Sequence, residues 1–211
     1  QSARKLSSFE TSAPEIVIVV DASLTGVGLL WYRVTASGDE VLVGGAAVDL
    51  SSLGFGVDAS NQNTAEFIAA LLGIRGLRKL RIEGPCPVLF RGDSKTALSW
   101  IHEMKFKSHL VGNAATFLVL QNIAIKIEVV RTEHLIADLN WRTDRLSRGK
   151  SLKELSARDP ALENIPVMNW DADEVLQLCK PHLLIKNDNE FVTCWRRTKT
   201  AIDTNLERYC S

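Results

Sequence analysis

The sequence predicts a mixed α/β domain: a five-stranded sheet whose first three strands are antiparallel, flanked by helices and followed by a C-terminal extension. Three observations predict it. Residues 16–20 are all Ile or Val, a run too short for a membrane span and suited by β-branching to a strand buried on both faces. Up to residue 50, strand-like runs alternate with tight turns, which describes an antiparallel meander. Beyond residue 62, helical stretches are interleaved with two further apolar runs, so the later strands must arrive by helical crossovers.

In order, residues 1–14 read as a flexible leader ending at Pro14. Asp21 follows the Ile/Val run at once, and because an unpaired carboxylate is costly inside a core, it belongs where the strand emerges, aimed at something charged. The small, turn-prone residues after it lead into a second strand over Val27–Val34. Ala36-Ser37-Gly38-Asp39 then turns the chain into a third, Glu40–Leu50, where Gly44 and Gly45 invite a bulge or a close neighbour. A loop rich in Ser, Gly and Asn covers residues 51–61. The helix after Gln62 is apolar at Phe67, Leu71, Ile74 and Leu77; Asn63 or Thr64 is suited to cap it, which places Glu66 in its first turn.

Pro85 and Pro87 introduce a short strand, Val88–Phe90, that ends in Arg91-Gly92-Asp93-Ser94, a second strand closed by an acid. Ser94–Met104 and His109–Gln121 read as helices, and Ile123–Val130 alternates as a half-buried strand with Lys126 and Glu128 outward. Arg131–His134 reads as a polar loop, and Leu139–Leu146 as a helix carrying Asp144 near its end. The domain thus spans residues 15–149. Residues 150–211 read as an extension or linker, with a short helix in Asp171–Lys180 and an aromatic-basic run, Trp195–Lys199, suited to a nucleic-acid backbone or to the basic face of a strand.

Composition narrows the function classes. The formal net charge of the 211 residues is zero, so no global field draws the chain to nucleic acid or membrane, and a polyanion site must be a local patch or a metal. Cys86, Cys179, Cys194 and Cys210 lack metal-ligand spacing, which argues against a zinc site or a disulfide framework and for a reducing, intracellular compartment. No apolar run reaches the roughly 18 residues of a membrane helix, and the polar start is no signal peptide. A first residue other than Met suits a fragment or a processed product.

Four acids share comparable placements: Asp21 and Asp93 at strand ends, Glu66 and Asp144 on helices. If the first and fourth strands are parallel neighbours, Asp21 and Asp93 emerge side by side and the helices bring Glu66 and Asp144 to the same spot. Four crowded carboxylates repel one another unless hard cations sit among them, and all-oxygen ligation suits magnesium or manganese. Two such ions, about 3.5–4 Å apart, clamp a phosphodiester for in-line hydrolysis.

These pieces, VVDAS at 19–23, NTAEF at 63–67, GDS at 92–94, and His134 followed ten residues later by Asp144 in TDRLSR, resemble the ribonuclease H family, most closely the domain attached to retrotransposon and retroviral reverse transcriptases. The resemblance implies a ribonuclease H-like fold over residues 15–149 and two Mg²⁺ ions, replaceable by Mn²⁺, held by Asp21, Glu66, Asp93 and Asp144 with Asp21 bridging. His134, in a mobile loop, would shuttle a proton or help the cleaved phosphate leave. It further implies cleavage of the RNA strand of RNA–DNA hybrids, leaving a 3′-hydroxyl and a 5′-phosphate, beside a polymerase of the same polyprotein. Ser23, Gln62, Asn63 and Ser94 flank the acids and suit contacts to ribose hydroxyls in a wide minor groove; the same residue types suit caps and turns equally well. Thr143 and Arg145 depart from the small residues that usually flank the last Asp. The alternative is a ribonuclease H-like domain that no longer cuts and serves as a scaffold for a polymerase.

Overall fold

The computed structural model describes residues 13–51, 62–82, 86–103, 127–171 and 174–175. The leader up to residue 12, the helix expected over His109–Gln121, Lys126, the run Trp195–Lys199 and three of the four cysteines lie outside them. Strands β1 (Ile16–Ala22), β2 (Gly26–Val34) and β3 (Glu40–Asp49) are followed by helix α1 (Gln62–Lys79) and strand β4 (Cys86–Gly92). Helix α2 (Lys95–Glu103), strand β5 (Ile127–His134) and the short helices α3 (Trp141–Ser147) and α4 (Leu152–Ser156) complete the order, with a 3₁₀ turn at Pro160–Leu162.

The sheet runs β3-β2-β1-β4-β5. The first three strands are antiparallel, as expected, while β4 lies parallel to both β1 and β5. Period-two alternation along β1 divides the core between two faces. Ile16, Ile18 and Val20 pack with α1 and α2, whereas Val17 and Val19 pack with Leu146, Leu152, Leu155 and Leu162. On the first face, the buried Trp31 donates its indole N–H to the Gly73 carbonyl of α1 at 2.8 Å. Phe67 and Trp100 meet edge to face at 6.4 Å and join α1 to α2.

The second face is closed partly by residues past 150. Ser151 starts α4 with a capping box, its hydroxyl accepting from the Glu154 amide while its own amide donates to the Glu154 carboxylate. Leu152 and Leu155 are thereby turned onto the sheet. The chain next returns along β3: the Gly45 amide donates to the Pro166 carbonyl at 3.1 Å and the Met168 amide to the Gly45 carbonyl at 2.9 Å, a parallel bridge between Gly45 and Val167.

Three boundaries differ from expectation. Helix α1 begins at Gln62, so Glu66 lies beyond its first turn. Strand β4 is seven residues long and takes in Pro87, which forgoes one amide but whose carbonyl accepts from Glu15 at 2.9 Å. Strand β5 continues to His134 instead of ending at Val130, so Arg131–His134 is strand and not loop. The polar side chains fit because β5 is an edge strand; Glu133 accepts from Arg91 of β4 at 2.7 Å, and His134 stands opposite Gly92. The expected bulge in β3 is present, with Val43 unpaired between the partners of Trp31 and Tyr32.

Gly28 of β2 sets how closely α3 approaches. A Cβ there would fall on the Thr143 carbonyl oxygen and against Leu146 Cβ, and backbone cannot swing aside as a side-chain tip can. Gly28→Ala should destabilise the protein by about 1–3 kcal/mol, the usual cost of overpacking, measured as a lower urea midpoint with unchanged m-value.

Candidate metal centre

Asp21 comes to this site because the alternation that buries Val17 and Val19 under α3 turns residue 21 to the same side, at the end of β1 where the sheet gives out. Its carboxylate is 3% exposed and held at both oxygens: Asn140 Nδ2 donates to Oδ1 at 3.1 Å and Ser147 Oγ to Oδ2 at 2.6 Å. Thr143 Oγ1 donates to Asn140 Oδ1 at 2.6 Å, which orients that amide with its nitrogen toward Asp21. Thr143 therefore positions the partner of a candidate ligand.

Glu66 is equally enclosed, at 4% exposure, and Gln62 Nε2 bridges the Ala22 carbonyl (2.6 Å) and Glu66 Oε1 (3.3 Å). Asp93 follows the last residue of β4, which runs parallel to β1, and is the most open of the three. One carboxylate oxygen from each of Asp21, Glu66 and Asp93 lies within 4.8 Å of the others. Neighbouring ligands on an octahedral magnesium ion stand about 3 Å apart and opposite ones about 4.2 Å, so the three carboxylates would draw closer together around an ion that all of them held. The all-oxygen donor set fits a hard divalent cation.

Electrostatics agree with that fit. Burial pushes the Asp21 carboxyl up to about 7; the Ser147 hydrogen bond opposes the shift, and the charges of Asp93 and Asp144 add to it. Burial, then the charges of Asp21 and Asp93, push Glu66 up to about 8, against hydrogen bonds from the Ala22 backbone and Gln62. A bound cation would compensate the cost that burial puts on ionising these two carboxyls.

Asp144 lies outside this trio, and because its helix begins at Trp141 it stands in the first turn and not near the end as expected. Its Oδ1 accepts from Arg148 Nε at 2.8 Å, and with Asp93 it lines a shared depression that also includes Ala137, Asp138, Trp141 and Arg145. His134 is exposed at the end of β5, its Nε2 donating to the Asp93 carbonyl at 3.0 Å, so it is tied to the loop that carries a candidate ligand. Of the four flanking residues, Ser23 is buried and donates to the Ser147 carbonyl at 2.6 Å, while Ser94 Oγ accepts from the Ala97 amide at 3.2 Å as a cap of α2. Asn63 is exposed and meets Ser94 at 3.4 Å. Gln62 braces Glu66 as described.

Sequence reasoning missed Asn140, Ser147 and Arg148. Their spacing held a signal: residues 140, 143, 144, 147 and 148 follow the three-and-four rhythm of one helix face, and all five are polar.

No family model matches the chain. No curated protein matches it either. Among solved structures, LC11-RNase H1, isolated from compost by a metagenomic approach, is 17% identical with a TM-score of 0.45, over 68% of this chain and 100% of that one. A second structure of it, in complex with an RNA/DNA hybrid, is 15% identical with a TM-score of 0.44, over 67% and 99%. RNase H1 from the halophilic archaeon Halobacterium salinarum NRC-1 is 16% identical with a TM-score of 0.43, over 64% and 98%. Likeness this distant decides nothing about activity.

Asp21 and Glu66 have folded-state pKa values raised above their ordinary 3.8 and 4.5. The unfolded chain therefore binds fewer protons between about pH 4 and pH 8, and the slope of unfolding free energy with pH is negative there. Metal-free protein should lose stability across this window and level off above it, and Glu66→Gln should flatten the fall. Added Mg²⁺ should raise the melting temperature more at pH 8 than at pH 5, because protons compete with the ion at the lower pH. Thermal melts across pH, with and without the ion, check both expectations.

Proposed function

We propose that the chain is a metal-dependent nuclease that hydrolyses the RNA strand of RNA–DNA hybrids. The observation that carries the reading is the convergence of Asp21, Glu66 and Asp93, residues far apart in sequence, to within 4.8 Å at one end of the sheet. Asp144 borders the same site through its shared depression with Asp93. Phosphodiester hydrolysis is the chemistry that carboxylate-held divalent ions supply when bound. The hybrid as substrate, and a polymerase of the same retroelement polyprotein as partner, follow from the motif resemblance at 19–23, 63–67, 92–94 and 134–144.

In this reading Asp21, Glu66, Asp93 and Asp144 hold the ions. Asp21 is suited to bridge, because Asn140 and Ser147 each occupy one lone-pair position and leave the rest of its carboxylate for metal. His134, with Nε2 held by the Asp93 carbonyl, presents Nδ1 as the ring atom that takes up or gives a proton. Asn63 is the exposed member of the flanking set and is placed to meet substrate. A scaffold that does not cut is favoured by one observation, the Arg148 guanidinium on Asp144, which a metal would have to displace from that carboxylate oxygen.

The test is cleavage of a labelled RNA–DNA hybrid in Mg²⁺, beside double-stranded RNA and DNA. Hybrid-specific cutting is expected. Asp93→Asn, which removes a charge from a largely open carboxylate, should abolish it with little change in melting temperature, and His134→Ala should lower kcat by about 10²-fold. A folded chain that cuts no hybrid in Mg²⁺ or Mn²⁺ would favour the scaffold.

A further inference from the structure

A chain of zero net charge needs a local cationic surface to hold a polyanion. Most guanidinium groups near the site are already committed: Arg91 to Glu40 and Glu133, Arg142 to Asp159, Arg148 to Asp144. Arg145 and Arg158 are different. Both are exposed, neither meets a carboxylate among the described residues, and both line the depression that contains Asp93 and Asp144. Arg158 arrives from beyond α4, and its guanidinium stands 4.5 Å from the centroid of Trp141 in the same depression. Such stacking steadies a guanidinium while leaving its edge N–H groups free to donate.

We propose that Arg145 and Arg158 bind backbone phosphates flanking the scissile one, so that residues past 150 contribute directly to the substrate site. The inference rests on the nuclease reading and adds to it a grip supplied by the extension. Phosphate is the matching ligand because it accepts two parallel N–H bonds from a guanidinium, and both arginines share the depression with Asp93. The same depression holds Asp93, Asp138 and Asp144, with Arg148 offsetting the last. Without divalent ions these acids repel a nucleic-acid strand; with the acids neutralised, the two free guanidinium groups dominate. Substrate binding should therefore require a divalent cation as well as the arginines.

The experiment measures binding of a fluorescent RNA–DNA hybrid to the full chain by anisotropy in Ca²⁺ over a series of salt concentrations, with hydrolysis in Mg²⁺ followed in parallel. Arg158→Ala and Arg145→Ala should each bind about 10-fold more weakly, with a salt slope shallower by about one. Arg158→Lys, which keeps the charge, should keep the slope. Unchanged affinity and slope in both alanine variants, with a wild-type chain that cuts hybrid, would overturn this inference and leave the nuclease reading intact. A wild-type chain that neither binds nor cuts hybrid would overturn both.

Discussion

The two hydrogen bonds that hold Asp21, from Asn140 and Ser147, tie the end of β1 to both ends of α3. A buried carboxylate with neither partner nor counter-charge is among the costliest things a core can contain. Here both oxygens are satisfied, yet no cationic side chain among the described residues is bonded to them, so the group is fixed in place with its charge uncompensated. The same contacts require α3 to lie almost on the backbone of β2, which Gly28 allows, and that docking brings Asp144 to the border of the site. Removing the ladder from Thr143 through Asn140 to Asp21 would loosen all of this together.

The two faces of the sheet do different work. Under α1 and α2 the packing is dense and aromatic, with Trp31, Phe67 and Phe90 fully buried, and it holds Glu66 against the end of β1. The opposite face carries α3 and Asp144, and its cover is made of small pieces: Leu146, then Leu152, Leu155 and Leu162 from residues past 150. The candidate site lies where the two layers meet at the end of β1 and β4, with its three acids supplied by β1, α1 and the margin of β4 and with Asp144 of α3 at its border. That placement explains why neither a helix nor a strand alone could present the cluster.

Much of this was legible in the chain. Asp21 and Asp93 stood out because each closes an apolar run, and a strand that ends on an acid announces a site or a turn. Glu66 was recognisable as a candidate, but its depth was not: that depends on α1 starting at Gln62, and a stretch of Asn, Gln and Thr offers several equivalent caps. The reach of β5 to His134 was hidden because Arg131, Thr132 and Glu133 look like loop until Arg91 is known to lie beside Glu133. Asn140, Thr143 and Ser147 are ordinary helix-margin residues in composition; their meaning comes from a carboxylate more than a hundred positions away. The extension held a signal too, since Ser151 and Glu154 have the capping-box spacing and Leu152 and Leu155 stand three apart on one helix face.

The bridge between Gly45 and Val167 has a consequence for solubility. Strand β3 is an edge of the sheet, and an edge with open amides and carbonyls is a template for other chains. Both backbone groups of Gly45 are occupied by the returning segment, which lays Met168 against the core beside β3. A fragment cut after residue 149 would keep every candidate ligand yet bare this edge together with the apolar face under Leu152 and Leu155. Such a fragment would keep the four acids, lose Arg158, and be a sticky protein in the tube.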